Sequence, residues 1–203
     1  MIHSMANRMA SVFISYGESS EEDRDIYVYA CEKLLSTIVN IGLGLLASTL
    51  LGKAIDGIIF MAGFAILRRY AGGYHARTRF ICILAFTAVV ACGMVVLSLM
   101  TALQAEYLML IFASIGFVGI FLLAPVEHEN KPLGADLQEK LKKKSRCLAL
   151  ILLGYCLMDF YILRLGIGFA LSLSMFCVFG SMAYATAYKL NLKKKESGRY
   201  EKT

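Results

Sequence analysis

The sequence predicts an all-α polytopic membrane protein: six transmembrane helices, an N-terminal interfacial amphipathic helix, and both termini in the cytoplasm. Three observations predict it. Of 203 residues, 58% are hydrophobic and only 18% charged, with a mean hydropathy of +0.63; that much apolar surface cannot all be internal in a soluble domain. The apolar residues also fall into runs that approach the roughly 20 residues a bilayer-spanning helix needs. Finally, the basic residues gather on one side. Of 21 Lys and Arg, only Lys53 and Arg164 fall in connections placed outside, and positively charged loops stay in the cytoplasm.

The elements follow in chain order. Within 1–18, Met5, Met9, Val12 and Phe13 recur at helical spacing with Asn7, Arg8 and Ser11 opposite, the pattern of a short helix lying on the inner leaflet. Residues 1–15 lack the sustained apolar core and small-residue cleavage site of a secretion signal. Ser19-Ser20-Glu21-Glu22-Asp23 reads as a helix start, with hydroxyl caps and acids in the first turn, and the helix runs on into the first span, 34–51. The second span, 54–67, is short and carries Asp56; a five-span chain would strand one basic loop on the wrong side. The remaining spans are 80–101, 105–124, 147–163 and 165–188. Gly42, Gly44, Gly116 and Gly119 are small enough to let helices approach closely.

Two cytoplasmic connections separate these spans, at 68–82 (a loop and the start of the third span) and at 125–146. In the second, Pro125 and Pro132 bracket a turn-rich stretch. Its Lys142-Lys143-Lys144-Ser145-Arg146 run reads first as a stop at the inner face of the fifth span, with peptide docking as the alternative. Residues 189–203 are expected to be a mobile basic tail. The chain reads as a single domain, 1–203, without repeats. Six cysteines do not make a disulfide framework here: Cys82 and Cys147 lie near the reducing cytoplasmic face, and Cys92, Cys156 and Cys177 read as small packing residues in apolar runs.

The chemistry concentrates in Arg68-Arg69-Tyr70-Ala71-Gly72-Gly73-Tyr74-His75-Ala76-Arg77-Thr78-Arg79-Phe80-Ile81-Cys82. An imidazole near a thiol can hold it as the thiolate that attacks carbonyls. In a continuous helix, His75 and Cys82 would stand about 10.5 Å apart along the axis, too far for a hydrogen bond of around 3 Å. A catalytic pair therefore needs a break in the chain or a second subunit. Gly72-Gly73 supplies the break, which places Cys82 in the first turn or two of the third span. There the helix amino end favours a thiolate, and backbone amides of that turn and of Gly72-Gly73 can bind an acyl oxyanion. Arg77 and Arg79 add positive charge or anchor the span to lipid phosphates. Arg68, ending an apolar segment just before the glycines, can bind a carboxylate bidentately.

This stretch, with Cys82 downstream, resembles the signature of the AgrB family (accessory gene regulator B). Ala124-Pro125-Val126-Glu127-His128-Glu129-Asn130-Lys131-Pro132-Leu133 is similar to that family's second signature loop. The resemblance implies a membrane cysteine endopeptidase that processes an AgrD-like propeptide into a cyclic quorum-sensing peptide. Carried over by position, Cys82 is the nucleophile and His75 its general base. Arg68 and Gly73 match further positions needed for activity, and Lys131 and Pro132 fall in the second loop. Glu127, His128, Glu129 or Asn130 is a candidate to orient His75. The implied mechanism is an acyl-thioester on Cys82, captured by a cysteine of the propeptide to close a thiolactone, or by a serine to close a lactone. A homodimer and contact with membrane lipids are also expected from the resemblance, while a net charge of +6 suits an acidic peptide tail.

No cofactor, metal or nucleic acid is expected. His75, Cys82 and His128 lack paired metal-ligand spacing, there is no phosphate-cradling glycine loop, and the basic residues follow topology. The rival from another class is a non-enzymatic peptide exporter or membrane scaffold. A transporter needs ionisable residues lining its path, and Asp159 is the clear candidate.

Overall fold

The computed structural model describes residues 2–15, 23–73, 79–126 and 134–200. These form α1 (Ile2–Ser15), α2 (Arg24–Leu50), α3 (Ala54–Ala71), α4 (Arg79–Leu99), α5 (Ala102–Leu123), α6 (Ala135–Met158) and α7 (Ile167–Tyr200), with a π-helical turn, Asp159–Leu163, continuing α6. Among the described residues there is no strand. One isolated parallel bridge joins Gly72 to Val126.

Among the described residues, five helices are long and apolar enough to cross a membrane: Arg24–Leu50, Ile81–Leu99, Leu103–Leu123, Asp136–Leu163 and Ile167–Asn191. At 18 residues, with Asp56 near its start and Arg68 and Arg69 in its last turn, α3 is the short one. The central helix is α7, which packs against α3, α5 and α6. Its inward residues feed two apolar clusters: Phe169, Ala170 and Leu173 meet Phe60, Val90, Met94 and Met109, while Met175, Val178 and Met182 meet Leu67, Ala71, Ile120 and Ala149. The second cluster lies beneath the Gly72–Val126 bridge, so helix packing and site geometry share one wall.

Small residues permit this closeness. A Cβ on Gly116 would come within 2.8 Å of the Met175 backbone, and one on Gly44 within 2.6 Å of Met61 Sδ. Gly119 admits the Phe179 ring. Gly42 departs from expectation, because it faces open space.

Several boundaries also move. Residues 135–146, read as connecting loop, are the first turns of α6. Lys, Glu and Gln are good helix formers, and Lys143 pairs with Glu139 at 2.7 Å one turn away. The expected mobile tail is likewise helical as far as Tyr200. The hydroxyl caps at Ser19 and Ser20 lie outside the described residues; α2 starts at Arg24 with Asp25 in its first turn, and its helix runs unbroken into the first apolar run. In α1 it is Ala6 and Ala10 that are buried against Val28 and Cys31 of α2, with His3 Nδ1 2.6 Å from Glu32 Oε1. Met5 and Val12 point outward, while the half-exposed Phe13 ring stacks on Tyr27 of α2 at 6.2 Å. All six cysteines are free; Cys156 is buried, but Cys92 is exposed instead of packed.

Asp159 is committed to architecture. Buried at the end of α6, it accepts hydrogen bonds from the Leu165 amide (2.9 Å) and the Gly168 amide (2.8 Å). It thereby caps the start of α7, where backbone N–H groups have no helical partner. Close helix contact yields a paired prediction. Gly116→Ala should destabilise the protein by about 1–3 kcal/mol while Gly42→Ala leaves it unchanged, as measured by thermal unfolding in detergent; equal melting of the two variants would contradict the packing.

Candidate active site

The site begins where α3 stops. Gly72 has φ +77° and ψ −154°, and Gly73 has φ +139°, conformations that L side chains rarely adopt. Space imposes the same restriction. A Cβ on Gly72 would overlap the Val126 carbonyl oxygen, and one on Gly73 would overlap the Ser181 hydroxyl of α7. The Gly72 amide donates to the Arg68 carbonyl at 3.0 Å, closing α3, and the Val126 amide donates to the Ala71 carbonyl at 3.0 Å. The second signature loop therefore leaves α5 directly against the Gly-Gly turn.

Neighbouring cations hold this corner. Arg146 of α6 donates from Nε and Nη2 to the Phe121 carbonyl (3.1 and 2.8 Å) and stacks 4.1 Å from the Phe121 ring. It satisfies a carbonyl in the last turn of α5 that the helix itself leaves open. Lys144 lies over the Tyr70 ring at 5.8 Å. Part of the basic run is thus engaged in joining α6 to the ends of α3 and α5.

Arg68, in the last turn of α3, is half-buried. Its guanidinium carbon sits 5.4 Å from the centroid of the Phe64 ring and 3.9 Å from where a Gly73 Cβ would stand. Phe64 in turn contacts Phe86 of α4, with centroids 5.3 Å apart, which places α4 alongside. Cys82, the fourth residue of α4, is partly exposed. Cys82 thus stands at a helix start, whose positive potential in general favours the nucleophilic thiolate of a cysteine.

Arg68, Gly72 and Gly73 are brought together, and Cys82 lies in the first turn of α4, whose Phe86 meets Phe64. His75 and Arg77 lie outside the described residues, as do Glu127, His128, Glu129, Asn130, Lys131 and Pro132. Arg79 opens α4, but its side chain is outside them too. Phe64, Val126 and Ser181 complete the corner and went unread in the sequence. The serine is an ordinary small residue in an apolar run, and only helix packing brings it to Gly73.

An all-helical chain with several long apolar helices defines a multi-pass membrane protein. The chain belongs to the accessory gene regulator B family, whose model matches residues 6–186 and whose members are involved in AgrD processing. It is 27% identical over 150 residues to a protein described as AgrB-like protein 2 from Clostridium perfringens strain 13, covering 71% of this chain and 70% of that one. A second AgrB-like protein, from strain SM101, is 27% identical over 149 residues with the same coverage. No solved structure matches the chain.

The Gly72–Val126 contact can be tested alone. Gly72→Ala should cost about 1–3 kcal/mol of local backbone strain and free the Val126 amide. Hydrogen exchange at that amide should then accelerate about tenfold or more; an unchanged rate would show the contact to be dispensable.

Proposed function

We propose that the protein is a membrane-embedded cysteine endopeptidase that removes the carboxy-terminal tail of an AgrD-like propeptide and supports closure of the remaining peptide into a ring. The observation that carries this is the family match over residues 6–186 together with the Gly72–Gly73 turn, which lies against Arg68 and precedes the helix whose first turn holds Cys82. A sulfur in the first turn of a helix has surroundings that favour a nucleophile.

In this mechanism His75 takes the Cys82 proton, and the thiolate attacks the carbonyl carbon of the bond preceding the tail. The oxyanion is met by the Gly73 N–H and by backbone N–H groups at the start of α4. The bond breaks, the tail amine takes the proton from His75, and an acyl-thioester remains on Cys82. A thiolate of the propeptide then attacks that carbonyl and releases Cys82, exchanging one thioester for another and forming the thiolactone; a serine hydroxyl would give a lactone. Exchange is nearly balanced whereas hydrolysis runs strongly downhill, so the site must restrict water during ring closure. Placement at the inner leaflet serves that need. Arg68 is positioned to attract an acidic substrate group.

Six spans with both termini in the cytoplasm complete the proposal, with α3 as the short span that returns the Arg68–Arg79 segment to the inner face. A homodimer accompanies it on the strength of the family, with His75 and Cys82 pairing within one chain or across two. The exporter alternative rests on the span architecture and its small residues; its candidate path residue, Asp159, caps α7.

Incubating membranes carrying the protein with its propeptide, and weighing the products by mass spectrometry, tests the proposal. Cys82→Ala should release no tail, and His75→Ala should lower release by about 10²–10⁴-fold, with membrane insertion unchanged in both. Full tail release by Cys82→Ala would refute it.

A further inference from the structure

The mechanism makes no use of the run Lys142-Lys143-Lys144-Ser145-Arg146. Its lysines are exposed, whereas Arg146 is half-buried and turned onto the end of α5. In a continuous helix the Phe121 carbonyl would accept from the amide of residue 125. That residue is Pro125, which has no N–H to give. The following amide, Val126, would serve Leu122 in the same pattern, but it donates instead to the Ala71 carbonyl of α3 at 3.0 Å. The last turn of α5 therefore lacks two consecutive helical donors: proline removes one, and the other is given to α3. Arg146 fills the first place. Its Nε and Nη2 both donate to the Phe121 carbonyl, at 3.1 and 2.8 Å, and its Cζ lies 4.1 Å from the centroid of the Phe121 ring. One side chain thus holds both the backbone and the ring of Phe121, just before the amide that joins α5 to α3.

We propose that Arg146 is a positioning residue: by replacing the donor that Pro125 cannot supply, it fixes the end of α5 so that Val126 meets the turn at Gly72. It acts through Phe121 and Val126, not on the substrate. Fork geometry carries the role, and positive charge alone does not. A guanidinium can give two N–H groups to one carbonyl while lying flat on a ring, whereas an ammonium is a strongly hydrated point charge. Lys144, over the Tyr70 ring at 5.8 Å, ties the same part of α6 to α3, so α6 reaches both helices that the Gly72–Val126 bridge joins. The functional meaning rests on the peptidase proposal, but the geometry does not, and the two can fail separately.

The test is hydrogen exchange at the Val126 amide of the full chain in detergent, without any propeptide. The Gly168 amide, which donates to Asp159 at 2.8 Å at the far end of α7, is the internal control. Arg146→Lys, which keeps the charge and loses the fork, and Arg146→Gln, which loses both, should each accelerate Val126 about tenfold and leave Gly168 unchanged. Lys142→Gln, which removes a charge one turn away, should leave both amides at their natural rates. In tail release, Arg146→Lys should lower kcat about tenfold and keep KM within about twofold, because the arginine orders the site without binding the peptide. A natural Val126 rate in either Arg146 variant, equal acceleration at Gly168, undiminished tail release by Arg146→Lys, or a raised KM with kcat intact would overturn the assignment. Failure of the natural chain to release the tail would defeat the peptidase proposal alone, since the exchange measurement needs no propeptide.

Discussion

A guanidinium in the last turn of a membrane helix must be held at the edge of the apolar region, since burying it without partners is costly. Arg68 meets this constraint by lying over an aromatic ring and beside a glycine turn. The turn exists because Gly72 and Gly73 adopt backbone angles open to little else, and because Val126 and Ser181 fill the space their side chains would need. Each helix end at this corner is secured by something distant in sequence: α3 by Val126, α5 by Arg146, and the turn itself by α7. The corner is a product of the packed bundle, and no single loop could form it.

The two ends of the bundle differ in kind. Near the site, polar groups converge from α3, α4, α6 and α7. At the other end, the buried carboxylate of Asp159 is consumed by the amides of Leu165 and Gly168, and the Phe60, Met94, Met109 and Phe169 cluster fills the interior. Expectation placed Asp159 on a possible transport path. A carboxylate with both oxygens engaged in capping a helix is better suited to holding that helix in place.

Much of the fold was legible in the sequence because bilayer-length apolar runs are a strong signal. The boundaries were less so. Hydropathy marks where apolar residues start, whereas α6 begins earlier, on lysines and glutamates that suit a helix as well as leucine does; the same holds for α7 beyond Lys189. The break after Ala71 and the position of Cys82 at a helix start were readable from Gly72-Gly73, since glycine pairs seldom continue a helix. The contacts of Phe64, Val126 and Ser181 with the site were not readable. They depend on which faces of α3, α5 and α7 meet, and apolar runs that are hydrophobic all round carry little record of facing. Gly42 and Gly116 illustrate this, alike in sequence and opposite in surroundings.

The most direct measurement is the mass of the Cys82-containing peptide after brief reaction with propeptide and acid quench. The account predicts a mass increase equal to the propeptide without its tail, carried on Cys82 and removed by hydroxylamine, as a thioester would be. Tail release accompanied by no such adduct on Cys82, under conditions where a thioester survives, would contradict it.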